Sequence, residues 1–427
     1  MTGTRAPSAP LLVVIGNPTN RRVALFQQAA RAARLPDVRV VPWLAVLRGQ
    51  ARFHAGELVR LDSPGEDAEV ERELRGVDDP TRVEGTARWY ERFTAAVRDV
   101  ASAVAAAGGT LLDDPQDLAV LFDKRLCHGV LREAGIAVPQ SPTSGPDAPL
   151  VRGWADVRAL QEGTGLRRVF IKLAHGSSAS GVLAVETASG GRVQATTSVE
   201  RDGRGRLFNS LRVRRYSTER EVGALVDALA PDGLHIERWL PKASQGGRTA
   251  DLRVVVIAGR ATHAVVRTSR SPMTNLHLGG ARGDLAAART SIEIAGGDWA
   301  GALRLCEAAA ERFPGSLRVG VDLLPSPDWR GFSIGEVNGF GDLLPGLTGL
   351  PGSGAETQET YAAQISAVRS RCATLTREAR AAPGALEATA PPAPIKEASE
   401  RQPAWRESST PGSPAPTRTR NHHRARW

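Results

Sequence analysis

Phe170-Ile171-Lys172-Leu173-Ala174-His175-Gly176-Ser177-Ser178-Ala179-Ser180-Gly181-Val182 reads as an apolar strand ending near a lysine, a turn of small residues bounded by glycines, and the start of a returning strand. The lysine is a rarity. Of 55 basic side chains four are lysine, namely Lys124, Lys172, Lys242 and Lys396. A chain that meets ordinary needs for positive charge with arginine keeps lysine where a compact ammonium on a flexible stem is wanted, and a phosphate oxygen beside a glycine-bounded turn is such a place. Lys124 opens a helix in Phe122-Asp123-Lys124-Arg125-Leu126-Cys127-His128. Lys242 and Lys396 fall outside these segments.

A third element lies far downstream: Val321-Asp322-Leu323, then Ile334-Gly335-Glu336-Val337-Asn338. Both are short apolar strands. Alternation places Glu336 and Asn338 on one face of theirs, and Asp322 on the neighbouring strand converges with them. Two carboxylates and an amide suit a hard divalent cation held together with phosphate, and a buried acid pair without a cation would be costly.

Working outward, Leu11 to Ile15, the turn Gly16-Asn17-Pro18-Thr19-Asn20, a helix from Arg22 to Arg34 and Val38 to Val41 predict a βαβ opening. Ala51 to Leu61 alternates and predicts a hairpin at His54 to Glu57. An acidic helix follows at Ala68 to Arg75, then a long Ala-rich helix from Ala87 to Ala107. Beyond Gly135, strands are expected at Val169 to Leu173, Val182 to Glu186, Arg192 to Val199 and Leu207 to Tyr216. Thr218 with Glu221 three residues on predicts a capping box, and further strands come at Leu234 to Glu237, Leu252 to Ala258 and Thr262 to Val266. The expected class is α/β with α+β character. Residues 1–10 and 381–427 are expected to be disordered, the latter with eight prolines and no apolar period.

Several motifs in order resemble the ATP-grasp superfamily, most closely its RimK-type amino-acid ligases, over roughly residues 115–350. The strand and turn from Phe170 to Val182 look like its phosphate-covering hairpin. Ile236-Glu237-Arg238-Trp239-Leu240 looks like the adenine hinge, Asp251-Leu252-Arg253 like the Asp-x-Arg strand, and Asn275-Leu276-His277-Leu278-Gly279-Gly280 like the Asn-x-His-x-Gly-Gly turn. Asp322, Glu336 and Asn338 look like its Mg²⁺ ligands. The resemblance implies a Rossmann-like pre-ATP-grasp domain at 11–114 and a two-part ATP-grasp body at 115–380, divided into a lysine and glycine-loop part (115–235) and a metal part (236–380). It also implies that ATP is held by Lys124, Lys172, Gly176, Ser177, Ser178, Gly181, Glu237, Arg238, Trp239, Leu240, Asp251 and Arg253, with Arg267 and Asn275 catalytic and Arg270 a candidate for substrate carboxylate. The implied reaction activates a carboxylate as an acyl phosphate and joins it to an amine or thiol. The chain departs from the family in two places: Ala179 stands where RimK-type loops usually carry glycine, and Gly339-Phe340-Gly341-Asp342 replaces a common Ser-Pro-Gly after the metal strand.

Composition sets the limits. A net charge of +9 raises nucleic acid as a partner, but Arg418, Arg420, Arg424 and Arg426 follow the last acid, Glu407, so part of it belongs to the tail. The body lacks the interleaved aromatic and basic residues of a nucleic-acid surface. Cys127, Cys306 and Cys372 are odd in number and widely spaced, which predicts no disulfide framework or zinc site and a reducing cytoplasm. The first apolar run is too short for a membrane span. The Ala, Arg and Gly richness matches a high-GC bacterial genome. No P-loop, zincin or dinucleotide signature is present. A kinase on the same fold is the rival to the ligase.

Overall fold

A computed structural model describes residues 11–381 except Ser178, Ser189 and Leu343, and side chains as far as Arg371 save that of His277. Residues 1–10 and 382–427, for which the sequence reading expects disorder, lie outside the described residues. The chain divides after Arg377 into two units, and all three sheets belong to the first.

The opening sheet is parallel, in the order β2-β1-β3-β4, with β1 Leu11–Ile15, β2 Arg39–Val41, β3 Glu57–Leu61 and β4 Thr110–Leu111. The turn after β1 works as read: the Asn20 side chain accepts from the Arg22 N–H at 2.8 Å and caps the helix Arg21–Ala32. No hairpin forms at residues 54–57. β3 instead runs parallel to β1, with Leu11 opposite Glu57. The alternation misleads because it does not separate solvent from core: Glu57 is buried against Arg39 and Arg60 is buried against Asp62.

Five antiparallel strands build the second sheet, in the order β8-β7-β6-β5-β9: β5 Arg168–Leu173, β6 Leu183–Thr187, β7 Val193–Arg201, β8 Leu207–Tyr216 and β9 Leu234–Arg238. The helix Glu219–Leu229 covers it. Thr218 and Glu221 close the capping box, and the helix buries Val222, Leu225, Val226 and Leu229, each contributing about 1.5–3 kcal/mol of burial. β9 spans the 235/236 division drawn from sequence, so the hinge residues are carried by this sheet.

The third sheet runs β13-β12-β11-β14-β15, with β10 Ser244–Gln245 also on β11: β11 Arg248–Ile257, β12 Arg260–Ser269, β13 Ala281–Arg282, β14 Arg318–Pro325 and β15 Phe332–Asn338. The helices Lys124–Glu133 and Trp299–Ala310 pack on it through Cys127, Leu131, Ala302, Cys306 and Ala309. Arg318 of β14 ties this sheet to the first. It is fully buried and donates to Asp113 Oδ1 at 2.7 Å and to the Leu61 carbonyl. Burial and the neighbouring Arg60 hold its pKa below the ordinary value. Among the described residues no helix is long and apolar enough to cross a membrane, and the described cysteines Cys127 and Cys306 are buried and unpaired.

Candidate active site

Lys124 and Lys172 come from different sheets' surroundings and meet at one place. Asp123 caps the helix Lys124–Glu133 by accepting from the Arg125 and Leu126 N–H groups, which leaves Lys124 as its first residue. The Lys124 ammonium donates to Glu336 Oε1 at 2.6 Å and to the Gly176 carbonyl at 2.7 Å, so it joins the glycine turn to β15. Its backbone N–H also donates to the Ala174 carbonyl, at 2.9 Å. Lys172, on β5, lies 2.6 Å from Glu237 Oε1 on β9. Burial would lower the pKa of Lys172, but Glu237 and then Glu336 raise it above the ordinary value.

The turn itself is tight. Gly181 has φ +70°, and a Cβ there would fall 2.5 Å from Leu173 Cδ1. The Ser177 carbonyl accepts from the Ser180 N–H at 2.9 Å. Ala179, at the family's glycine position, adopts φ +58°. An L-residue there carries strain of about 1 kcal/mol that glycine would not. Ser178 lies outside the described residues.

A second knot of charge sits on β11, β12 and β14. Asp251 accepts from Arg267 Nε at 2.8 Å, from Lys242 Nζ at 2.9 Å and from the Thr274 hydroxyl. Arg267 reaches on to Asp322 Oδ2 at 3.1 Å, and Arg253 donates to Asp322 Oδ1 at 2.5 Å and to Asp342 at 3.2 Å. Burial opposes ionisation of Asp251, yet Arg267 and Lys242 hold its pKa well below the carboxylate range. The pKa of Arg267 is raised by Asp251 and Asp322 against the effect of burial. Asp251 is therefore placed as the anchor of Arg267. Lys242, set outside the motifs by the sequence reading, belongs to this network. Its segment between β9 and β10 carries no periodic signal, and the scarcity of lysine was the one cue that could have found it.

Asp322 and Glu336 face each other as cross-strand partners on β14 and β15, while the Asn338 amide donates to the Gly320 carbonyl at 3.2 Å. Burial would raise the pKa of Glu336, but Lys124, then Lys172, hold it below the ordinary value. Among the described residues no three His, Cys, Asp or Glu side chains gather as a metal cage. Two carboxylates and an amide oxygen still fit an ion that draws its remaining ligands from phosphate and water. Asn275 sits at the turn after β12, where its carbonyl accepts from the Leu278 N–H at 3.1 Å, and a Cβ on Gly280 would fall 2.6 Å from that carbonyl. The side chain of His277 is outside the described set.

The hinge differs from its sequence reading in detail. The Glu237 carboxylate is turned inward onto Lys172 and His235. The Arg238 N–H donates to the Gln140 carbonyl at 2.7 Å and the Trp239 N–H to the Arg168 carbonyl at 3.0 Å. Among these main-chain donors, Leu240 N–H is the one with no partner among the described residues. The Arg168 guanidinium lies 3.9 Å over the Trp239 ring. Between Lys124, Lys172, Glu237, Glu336 and His128 is a cavity of about 20 Å³, room for one water.

Burial of Glu237 would push its pKa up, but Lys172 and His235 outweigh it and hold it at about 2 against an ordinary 4.5. His128, buried beside His235, is pushed down to about 4. A depressed carboxylate contributes stability that is present above pH 4.5 and lost as pH falls through 2. The unfolding midpoint in urea is therefore expected to fall across that window more steeply in the wild type than in Glu237→Gln. Parallel curves would show that the pair adds nothing.

No family model and no curated protein sequence matches the chain. Solved structures do. D-cycloserine synthetase DcsG superposes with a TM-score of 0.51 at 15% identity, covering 84% of this chain and 99% of its own. ATP-grasp ligase PsnB complexed with minimal precursor gives 0.48 at 16% identity, covering 84% and 98%, and D-alanine–D-alanine ligase from Bacillus anthracis complexed with ATP gives 0.47 at 10%, covering 88% and 100%. At this identity the likeness concerns the fold alone, and this chain shares the fold of D-cycloserine synthetase DcsG.

Proposed function

We propose that the protein is an ATP- and Mg²⁺-dependent ligase that activates a substrate carboxylate as an acyl phosphate and transfers it to an amine or thiol, releasing ADP and phosphate. The observation that carries this reading is the meeting of Lys124, Lys172, Glu336, Asp322 and Arg267 between the two antiparallel sheets. In it the adenine sits against Leu240, the two lysines exchange their glutamates for phosphate oxygens, and the glycine turn covers the phosphates. Asp322, Glu336 and Asn338 would hold Mg²⁺, which when bound would supply charge neutralisation at the phosphates. Arg267, fixed by Asp251, presents its guanidinium toward the transferred phosphoryl group, and the surrounding side chains exclude the water that would hydrolyse an acyl phosphate.

A mixed anhydride is open to strong nucleophiles where a phosphate ester is not. Incubation with ATP, Mg²⁺, hydroxylamine and a panel of carboxylates is expected to yield a hydroxamate with stoichiometric ADP and phosphate. A stable phosphorylated product without hydroxamate would replace the ligase by a kinase on the same fold.

A further inference from the structure

Within the glycine turn after β5 the Gly176 N–H donates to the Leu173 carbonyl at 3.2 Å and the Ser180 N–H to the Ser177 carbonyl at 2.9 Å. Its two ends are held from outside, and both rest on one short stretch of chain, Val83 to Tyr90. At the leading end the His175 ring stacks on Tyr90, with ring centroids 3.9 Å apart and planes 15° from parallel. His175 Nδ1 donates to the Phe122 carbonyl at 3.1 Å, Nε2 lies 3.8 Å from Asp123 Oδ2, and the side chain is 7% exposed. At the trailing end a Cβ on Gly181 would fall 3.1 Å from Val83 Cγ1, and Val83 packs with Leu173 and Leu207 in the core of the second sheet.

The supporting stretch is itself fixed. The Val83 N–H donates to the Leu207 carbonyl at 3.1 Å, and the Leu207 N–H donates to Glu84 Oε1 at 2.9 Å. The helix Thr86–Ala106 starts after Gly85, which has no side chain to cap it. Asp232, in the turn after the helix Glu219–Leu229, does so instead, accepting from the Gly85 and Ala87 N–H groups at 2.8 and 2.9 Å. The next residue, Gly233, accepts from the Ala174 N–H at 3.0 Å, and the Ala174 carbonyl accepts from the Lys124 N–H. Tyr90 lies in the helix so capped, and its hydroxyl donates to the Ala119 carbonyl at 2.9 Å. The ring pair therefore holds the turn in the same frame as Lys124, whose helix is capped by the Asp123 that His175 faces.

We propose that Tyr90 and His175 are positioning residues that hold the glycine turn over the phosphates of ATP, a reading that rests on the nucleotide site proposed above and deepens it. A turn free to swing must be ordered each time a nucleotide binds. One already held by the stacked rings meets the phosphates at less entropic cost. The helix Thr86–Ala106 then acts on the nucleotide through His175.

The test uses the full chain and two measurements that need no carboxylate or acceptor. Pancreatic elastase cuts after small residues, so its cleavage between residues 174 and 181, followed by fragment mass, reports how firmly the turn is held. Calorimetric titration with ATP and Mg²⁺ reports nucleotide binding. Tyr90→Leu and His175→Leu are each expected to speed cleavage in the turn by about fivefold or more, relative to cleavage elsewhere in the chain, and to weaken ATP binding by about fivefold or more. The double variant is expected to lose no more than about twice what either single variant loses, because the second substitution removes little once the stack is gone. Tyr90→Phe, which keeps the ring, is expected to stay within about twofold of wild type in both measurements. Should Tyr90→Leu fail to fold, His175→Leu, a change in the turn and not in the helix, carries the comparison. With a wild type that binds ATP, unchanged turn cleavage or unchanged ATP affinity in the leucine variants overturns the positioning role, and so do losses that multiply in the double variant. No ATP binding by the wild type would overturn the nucleotide site itself, and this role with it.

Discussion

Glu336→Gln is expected to lower Mg²⁺- and substrate-dependent ADP release by about a thousandfold while leaving the thermal unfolding temperature within a few degrees of wild type. The amide keeps the shape of the side chain and can still accept from Lys124, so the first consequence is electrostatic. One negative charge is removed at the point where Lys124 and the paired strands β14 and β15 meet. Alanine would be a poorer probe, since it leaves the Lys124 ammonium with no partner but the Gly176 carbonyl. Asn338→Ala, which on the proposed reading removes the neutral member of the metal set, is expected to be milder, on the order of tenfold to a hundredfold. ADP release above a tenth of wild type in Glu336→Gln would sink the metal assignment.

The second large effect falls on Arg267. This side chain separates Asp251 from Asp322, holding one at 2.8 Å and the other at 3.1 Å. Arg267→Ala would leave buried Asp251 to Lys242 and Thr274 and half-buried Asp322 to Arg253, removing one charge from a shared network, and is expected to destabilise the protein by about 2–3 kcal/mol, enough to confuse a kinetic reading. Arg267→Lys keeps the charge and loses the fork. Hydroxamate formation in that variant is expected to fall about a hundredfold while ATP affinity changes less than about threefold, because on the proposed reading the group acts on the transferred phosphoryl and not on the bound nucleotide. Equal losses in both measurements would move Arg267 from the reacting end to the nucleotide. Circular dichroism and urea unfolding, run in parallel, separate these outcomes from misfolding.

Much of the architecture is legible from local signals. β8 spans Leu207–Tyr216 as its alternation predicts, the acidic helix Ala68–Arg75 falls where expected, and the capping box at Thr218 starts a helix at the next residue. The first sheet was harder to read because Glu57 and Arg60, polar in the sequence, are buried through partners that the strand itself does not contain. The same limit applies at the site. Lys124 meets Glu336 and Lys172 meets Glu237 across separate strands and a helix, pairings that no period in the chain announces. Residue type marked these positions as chemically loaded, but not that each lysine would be held by a carboxylate. Lys242 shows the converse: its scarcity was visible and its partner Asp251, nine residues on, was already singled out, yet only the geometry links them.

The contact between Lys124 and Glu336 makes the two groups rivals as well as partners. On the proposed reading, a phosphate that draws Lys124 away exposes the oxygen a metal ion needs, and an ion that takes Glu336 releases the ammonium a phosphate needs. Each ligand thereby removes the other's competitor, and the coupling is the same in both directions. Mg²⁺ alone and ATP alone then bind weakly and the pair binds well, which confines the charged state of the site to the moment when both reactant and counter-ion are present.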